Sequence, residues 1–193
     1  NSTATARSWT SLQATAGSAA IVGAGDLVIQ ASHISVAINQ ASTLNGAVVD
    51  YAANATDLEI ATGITDTITL DMKGAAGEQL QAAAHIVVDL YGFVAVEGDF
   101  AIQTRTADVI LADLASTPNV NEAANPVSVD LLTLGASNVH AFAGLGGNTS
   151  DPLGLELNGV NFAIALMTNQ ADATQKWTSV KADAASVEFV GIS

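Results

Sequence analysis

Alternation of apolar and polar positions with a period of two is the dominant pattern along this chain. Its clearest run is HIVVDLYGFVAVEGDFAIQ, residues 85–103, in which every even-numbered position is apolar or glycine. Successive side chains of a strand point to opposite faces, so the run predicts one face directed at a core and the other largely at water. An unbroken strand of this length would measure about 60 Å. We therefore expect a bend, a bulge or a break at Gly92 or Gly98.

Similar alternation recurs along most of the chain, and turn chemistry separates the runs. The expected turns are Asn45-Gly46, Lys73-Gly74, Asn158-Gly159 and the glycine-rich residues 144–147. Two segments, GAAGEQLQAAAH and VHAFAG, have some helical character. The pattern predicts at least eight strands and an all-β fold with little helix. The architecture is expected to be a sandwich or an elongated twisted antiparallel sheet.

Residues 1–25 and 169–193 carry nearly the same phrase. Trp9-Thr10-Ser11 recurs as Trp177-Thr178-Ser179, and the chain has only two tryptophans. The further identities at the same offset are Ala14 with Ala182, Ala16 with Ala184, Ser18 with Ser186, Val22 with Val190 and Gly23 with Gly191. Chance is a poor explanation for this similarity, which indicates a repeat.

Two hypotheses account for the repeated phrase. In the first, the chain is one period of about 168 residues plus the start of the next, as in modular arrays in which each unit touches its neighbours. In the second, the protein has similar first and last strands, paired by pseudo-symmetry. The identical Trp-Thr-Ser triplet favours the first. We predict a single β-rich repeat module over residues 1–193, with Trp9 and Trp177 packed in the core or at the junction between units.

Charge and composition narrow the classes of partner. The chain has 19 acidic and 5 basic residues, a net charge of -14, and its basic residues are scattered. Nucleic acids and anionic membranes would be repelled by such a surface. Cysteine is absent, which excludes disulfides. No apolar run is long enough to suggest a membrane span, so membrane insertion is not expected.

Motifs for catalysis are missing from the sequence, and calcium is the one ligand that its loops suggest. The three histidines lack metal-ligand spacing, and neither a nucleophile elbow nor a phosphate-binding glycine loop is present. We therefore expect no enzymatic activity and no catalytic residue. Oxygen ligands for calcium could come from two acidic loops. The candidate residues are Asp50 and Asp57 in DYAANATD, and Asn148 and Asp151 in GGNTSDPLG.

Neither acidic loop fits an EF-hand pattern. At each loop the alternative interpretation is a solvated acidic turn that binds no metal.

Four phrases resemble the long repeats of giant bacterial extracellular, adhesin-like proteins. They are GFVAVEGDFAIQ, VDLLTLGASNVHAFAGLGG, LGLELNGVNFAIALM and ATQKWTSV. The resemblance implies a β-rich extracellular or cell-surface module that acts as a spacer or in adhesion. It supplies no catalytic residues.

The leading functional hypothesis is a structural or adhesion-type repeat module of a large extracellular bacterial protein, with neighbouring copies of the repeat as partners. One alternative is a self-assembling filament or sheath subunit joined through its similar terminal segments. Another is a carbohydrate-binding β-sandwich that contacts glycans or another cell surface. Its candidate binding aromatics are Trp9, Tyr51, Tyr91 and Trp177.

Overall fold

A computed structural model describes residues 7–21, 25–42, 46–56, 58–112, 125–147 and 149–192. These residues form ten strands and two single 3-10 turns, Tyr51–Ala53 and Gly74–Ala76. The strands are β1 (Trp9–Ala20), β2 (Leu27–Ala41), β3 (Leu58–Ala61), β4 (Thr67–Leu70), β5 (Gln79–Leu90), β6 (Val94–Val109), β7 (Val127–Leu145), β8 (Leu153–Asn169), β9 (Lys176–Asp183) and β10 (Ser186–Val190). No helix in the described ranges is long and apolar enough to cross a membrane.

Eight of the strands form one antiparallel sheet in the order β1-β2-β5-β6-β7-β8, after which β9 and β10 both pair with β8. Neighbours in the sheet are mostly neighbours in the chain. Strands β3 and β4 form a separate hairpin within the segment that links β2 to β5. The predicted all-β class is confirmed. Of the two expected architectures, the described residues show an extended sheet, without a second large sheet packed on it.

The run over residues 85–103 is broken at Gly92, as its length predicted. Tyr91 and Gly92 both have positive φ, at 57° and 70°. Two such residues make the tight turn that suits the twist of a hairpin. The N–H of Phe93 donates to the carbonyl of Leu90 at 3.0 Å, which closes the turn between β5 and β6. The first cross-strand pair after this turn is Leu90 with Val94.

Irregular pairing marks three strands at places where the alternation changes phase. The β6–β7 register shifts beside Gly98, and Asn138 of β7 has a φ of 50°. In β2, His33 has a φ of 51° where the register to β5 shifts. A bulge adds one residue to a strand and permits such conformations. Asn158-Gly159, predicted as a turn between strands, is instead an irregularity inside β8, with a φ of 58° at Gly159.

The two segments with helical character are strands for most of their length. In the first, only Gly74–Ala76 makes a 3-10 turn, and β5 begins at Gln79. The second, residues 139–144, lies inside β7. Alanine favours helices in isolation, but pairing with β2 and β6 on both sides holds β5 extended.

Cross-strand pairs share a face, so the register divides the sheet into two surfaces. The row Ala14–Val36–Ala82–Ile102–Leu134–Ile164–Val180 is apolar from one edge to the other. We call the surface that carries this row the apolar face. The opposite surface, the polar face, carries the row Ser11–Asn39–Gln79–Arg105–Leu131–Met167–Trp177.

The apolar face lies open in the described chain, and the prediction that one strand face meets a core is wrong for much of the sheet. Ile102 is 41% exposed and Val180 is 65% exposed. A single layer of sheet leaves a surface open unless another element packs on it.

Burial is confined to small groups of residues, and two of these groups lie at segments that connect strands. The first lies near the attachment of the β2–β5 connection, where Asn39 is fully buried and donates through Nδ2 to the carbonyl of Val49 at 2.8 Å. Met72 of the same connection is also buried. The second surrounds Phe142, whose ring lies against the backbone at Gly144 and Gly147.

Candidate functional site: the two edge strands

The two copies of the repeated phrase form the two opposite edges of the sheet. Strand β1 pairs only with β2, and β9 and β10 pair only with β8. The similar segments therefore do not pair with each other, contrary to the pseudo-symmetric hypothesis. Each leaves one row of backbone N–H and C=O groups unpaired in the described chain, and such a row is a template for another strand.

Both edges run in the same direction and present the same face. Strand β9 is six strand-to-strand steps from β1, and an even number of antiparallel steps restores the direction. Trp9 and Trp177 both lie on the polar face, as their cross-strand partners Ala41 and Met167 show. The row from Trp177 reaches Ser11 rather than Trp9. Equivalent positions are thus displaced by two residues along the strand, which preserves the face.

Strand β1 makes its side-chain contacts with the elements that follow it. The indole Nε1 of Trp9 donates to the carbonyl of Ala47 at 2.8 Å. The Ser11 hydroxyl donates to Asn39 Oδ1 at 3.2 Å. Two further hydrogen bonds join Gln13 to Asp71. Gln13 Nε2 donates to Asp71 Oδ1 at 2.8 Å, and the N–H of Asp71 donates to Gln13 Oε1 at 3.3 Å.

The equivalent side chains of β9 have no such partners in the described part of the chain. Trp177, Ser179 and Lys181 occupy the positions of Trp9, Ser11 and Gln13. None of the three makes a side-chain hydrogen bond or ion pair among the described residues. Lys181 is exposed. The phrase is therefore repeated without the contacts that its first copy makes.

Strand β10 and the end of β9 contact β8 instead. Asn158 Nδ2 donates to the hydroxyl of Ser186 at 3.4 Å, and Asn161 Nδ2 donates to Asp183 Oδ2 at 3.0 Å. Ser186 matches Ser18 of β1, whose hydroxyl has no bonded partner among the residues described. Trp9 and Ser11 thus have hydrogen-bond partners that Trp177 and Ser179 lack among the described residues, whereas Ser186 has a partner that Ser18 lacks there.

A compact turn sets β9 against β8. The Asp172 carboxylate accepts hydrogen bonds from the hydroxyl of Thr174 at 2.6 Å and from its N–H at 3.0 Å. These two bonds stabilise the charged carboxylate and hold the pKa of Asp172 below its ordinary value. Asn169 Nδ2 closes the turn by donating to Gln175 Oε1 at 2.9 Å.

The β1 edge lacks the usual protection of a free strand. Natural edge strands carry charges or proline that discourage pairing with another chain. The sequence of β1, WTSLQATAGSAA, contains neither. Strand β9 differs, because Lys176, Lys181 and Asp183 flank its apolar positions. The β1 edge is therefore suited to pairing with a further strand.

Sequence reasoning found Trp9 and Trp177 but missed the other edge contacts. Trp9 is 50% exposed and Trp177 is partly buried, so the described chain does not place Trp9 in a core. The junction position stays a prediction. The match of Ser18 with Ser186 was visible in the sequence. The equivalence of Gln13 and Lys181 was not visible in the sequence, because the two side chains differ. It is recognised only from the contact of Gln13 with Asp71, a carboxylate that a lysine could also bind.

The three histidines lie on separate strands of the sheet, His33 on β2, His85 on β5 and His140 on β7. His85 Nδ1 lies 3.0 Å from Asp99 Oδ1, and its Nε2 lies 3.4 Å from Glu97 Oε1. His140 Nε2 lies 3.1 Å from Glu156 Oε1 on the same face of the sheet. No group of three or more histidine and acidic side chains suited to a metal occurs within the described ranges.

We expect His85 to stay protonated to a higher pH than an isolated histidine. The hydrogen bond to Asp99 is the largest cause, and it raises the pKa above the ordinary 6.5. A raised folded-state pKa stabilises the fold fully below pH of about 6.5, and this contribution is lost as the pH rises through the folded value. NMR titration of the imidazole should show the raised pKa, and Asp99→Asn should lower it. An unchanged pKa in that variant would contradict the assignment.

The calcium candidates are not brought together in the described residues. Asp57 and Asn148 lie outside those residues. Asp50 Oδ1 accepts the N–H of Ala53 at 3.2 Å and so caps a 3-10 turn. Asp151 accepts a hydrogen bond from the neighbouring Ser150 hydroxyl at 3.4 Å. Both described aspartates therefore have local structural contacts, and neither indicates a metal.

The candidate carbohydrate-binding aromatics do not form one platform. Trp9 and Trp177 lie on opposite edges of the sheet. Tyr91 lies in the β5–β6 hairpin, at the end of β2 opposite to the end that pairs with Trp9. Tyr51 belongs to the 3-10 turn of the β2–β5 connection. The four rings therefore do not combine into one shared stacking surface in the described chain.

No family model, no curated protein and no solved structure matches this chain significantly.

Proposed function

We propose that this chain is a structural repeat module of a long extracellular or cell-surface protein, in which successive copies extend one antiparallel sheet. The observation that carries the proposal is the placement of the repeated phrase on the two opposite edges of the sheet. One strand that serves both as the last of one unit and the first of the next would use both of its backbone edges.

Strand direction, face and composition support continuation of the sheet. The two edges run the same way and present the same face, so a second copy could follow without reversing either. The acidic, cysteine-free composition suits an exposed surface array, in which charge keeps neighbouring arrays apart. The function would then be mechanical, because each folded copy adds a fixed increment of length.

The first test is a chain of two periods, in which residues 26–193 are repeated once after Ser193. Equivalent edges lie six strand spacings apart, so we expect the second period to add about 29 Å across the sheet at about 4.8 Å per spacing. Small-angle scattering combined with light scattering would measure this increment and the mass. A two-period particle that is no longer than the single chain would contradict the proposal.

The same measurement bears on the alternative of a self-assembling subunit. The unpaired β1 and β9 edges favour that alternative as well, because separate chains could meet there. Polymers of the single chain that grow with concentration would make it a filament subunit. A single chain that stays monomeric, with a two-period chain that lengthens, would support the covalent array.

A further inference from the structure

We infer that the free side of β9 is the docking site for β2 and the β2–β5 connection of the next copy of this module. The inference rests on the proposed function and adds the atoms that join the copies. It begins from a mismatch: β9 repeats the side chains of β1 but lacks, in the described chain, the partners that those side chains have in β1.

The first set of contacts between copies would be made by the repeated Trp-Thr-Ser triplet. Trp9 Nε1 donates to the Ala47 carbonyl, and the Ser11 hydroxyl donates to Asn39 Oδ1. Trp177 and Ser179 hold the same positions on β9. With the next copy's β2 paired to β9 in the register that β2 has with β1, Trp177 would donate to that copy's Ala47 and Ser179 to its Asn39.

The second contact between copies would pair opposite charges, Lys181 of one copy with Asp71 of the next. Gln13 is joined to Asp71 by two hydrogen bonds, and Lys181 replaces it on β9. An ammonium group opposite a carboxylate forms a charge-assisted bond, which is stronger than a neutral one. The one position of this contact set that differs between the two copies has thus changed to a residue that suits the same partner.

The opposite side of the junction strand shows the reciprocal relation. Ser186 accepts a hydrogen bond from Asn158 of β8. Ser18 is the same residue on β1, whose free side would face β8 of the preceding copy. One strand in an array would therefore use Trp, Ser and Lys toward the following copy and a second Ser toward the preceding one. This division of contacts explains why the Trp and both Ser positions recur in both phrases.

Exchange of the indole N–H of Trp177 with solvent tests the docking directly. Within the described residues of the single chain, the Trp9 indole is hydrogen-bonded and that of Trp177 is not. In the two-period chain, we expect exchange at Trp177 to slow at least tenfold, toward the rate of Trp9, while the last tryptophan stays fast. Labelled indole signals followed by NMR, assigned with Trp177→Phe, would measure the three rates.

A charge exchange provides the matched control. Lys181→Asp should return the Trp177 indole of the two-period chain to fast exchange, and adding Asp71→Lys in the second copy should restore protection. Neither change should alter Trp177 exchange in the single chain, where Lys181 is exposed.

If the two-period chain lengthens but Trp177 exchanges equally fast in both chains, the docking is wrong although the array stands. If it does not lengthen, the array itself fails.

Discussion

Phe142→Ala should destabilise the fold by about 3–5 kcal/mol, the range for removal of a buried aromatic ring. Phe142 is 4% exposed, in a sheet that buries few large side chains. Its ring fills the space above Gly144 and Gly147, where an added Cβ would meet it. Truncation would leave a cavity that the paired backbone of β7 and β8 cannot close. Urea unfolding followed by far-UV circular dichroism would measure the loss.

Phe93→Ala is the matched control for this change. Phe93 lies in the neighbouring β5–β6 hairpin and is 54% exposed, so its truncation should cost less than about 1 kcal/mol. Equal losses at Phe142 and Phe93 would show that the ring of Phe142 is not packed as described. They would also show that the buried cluster around Phe142 does not stabilise the fold.

Gly144→Ala should destabilise the β7–β8 pair by about 1–3 kcal/mol, the range for overpacking. Gly144 and Gly154 face each other across the two strands. A Cβ on Gly144 would overlap the carbonyl oxygen of Leu153 and lie 2.6 Å from the Cα of Gly154. Backbone on both sides cannot yield as a flexible side chain would. Urea unfolding should therefore show a lower midpoint with an unchanged slope.

Gly17→Ala provides the opposite expectation at a matched position. Gly17 lies within β1, and an added Cβ would meet no atom within 4 Å. Replacing a strand glycine where space is open should stabilise by about 0.5–1 kcal/mol. The second copy of the phrase already has alanine there, at Ala185. A loss of stability at Gly17 comparable to that at Gly144 would contradict the close approach of β7 and β8.

Local patterns in the sequence predicted the strands and one of their breaks. Alternation over residues 85–103 identified both faces of β5 and β6, and Gly92 marked the hairpin. Asn158-Gly159 misled, because a positive φ serves a bulge within a strand as well as a turn between strands. Alanine-rich β5 also misled, since its conformation is set by two neighbouring strands rather than by intrinsic preference.

Long-range placement could not be predicted. The alternation predicted an apolar face but not that this face would lie uncovered, because coverage depends on a partner that local pattern does not specify. The repeated phrase was evident from Trp9 and Trp177, yet its position on opposite edges follows only from the strand order. The relation of Lys181 to Asp71 required the contact that Gln13 makes.

The two-residue displacement between equivalent edges has a geometric consequence for any array of these units. Successive copies would be displaced obliquely rather than perpendicular to their strands, since each is offset by about 7 Å along the strands for every 29 Å or so across them. The ribbon would run obliquely, inclined by about 13° to the perpendicular of its strands at the rise and spacing typical of sheets. Ten copies would drift sideways by about 70 Å at this rise. The backbone register thus sets the direction in which the array extends.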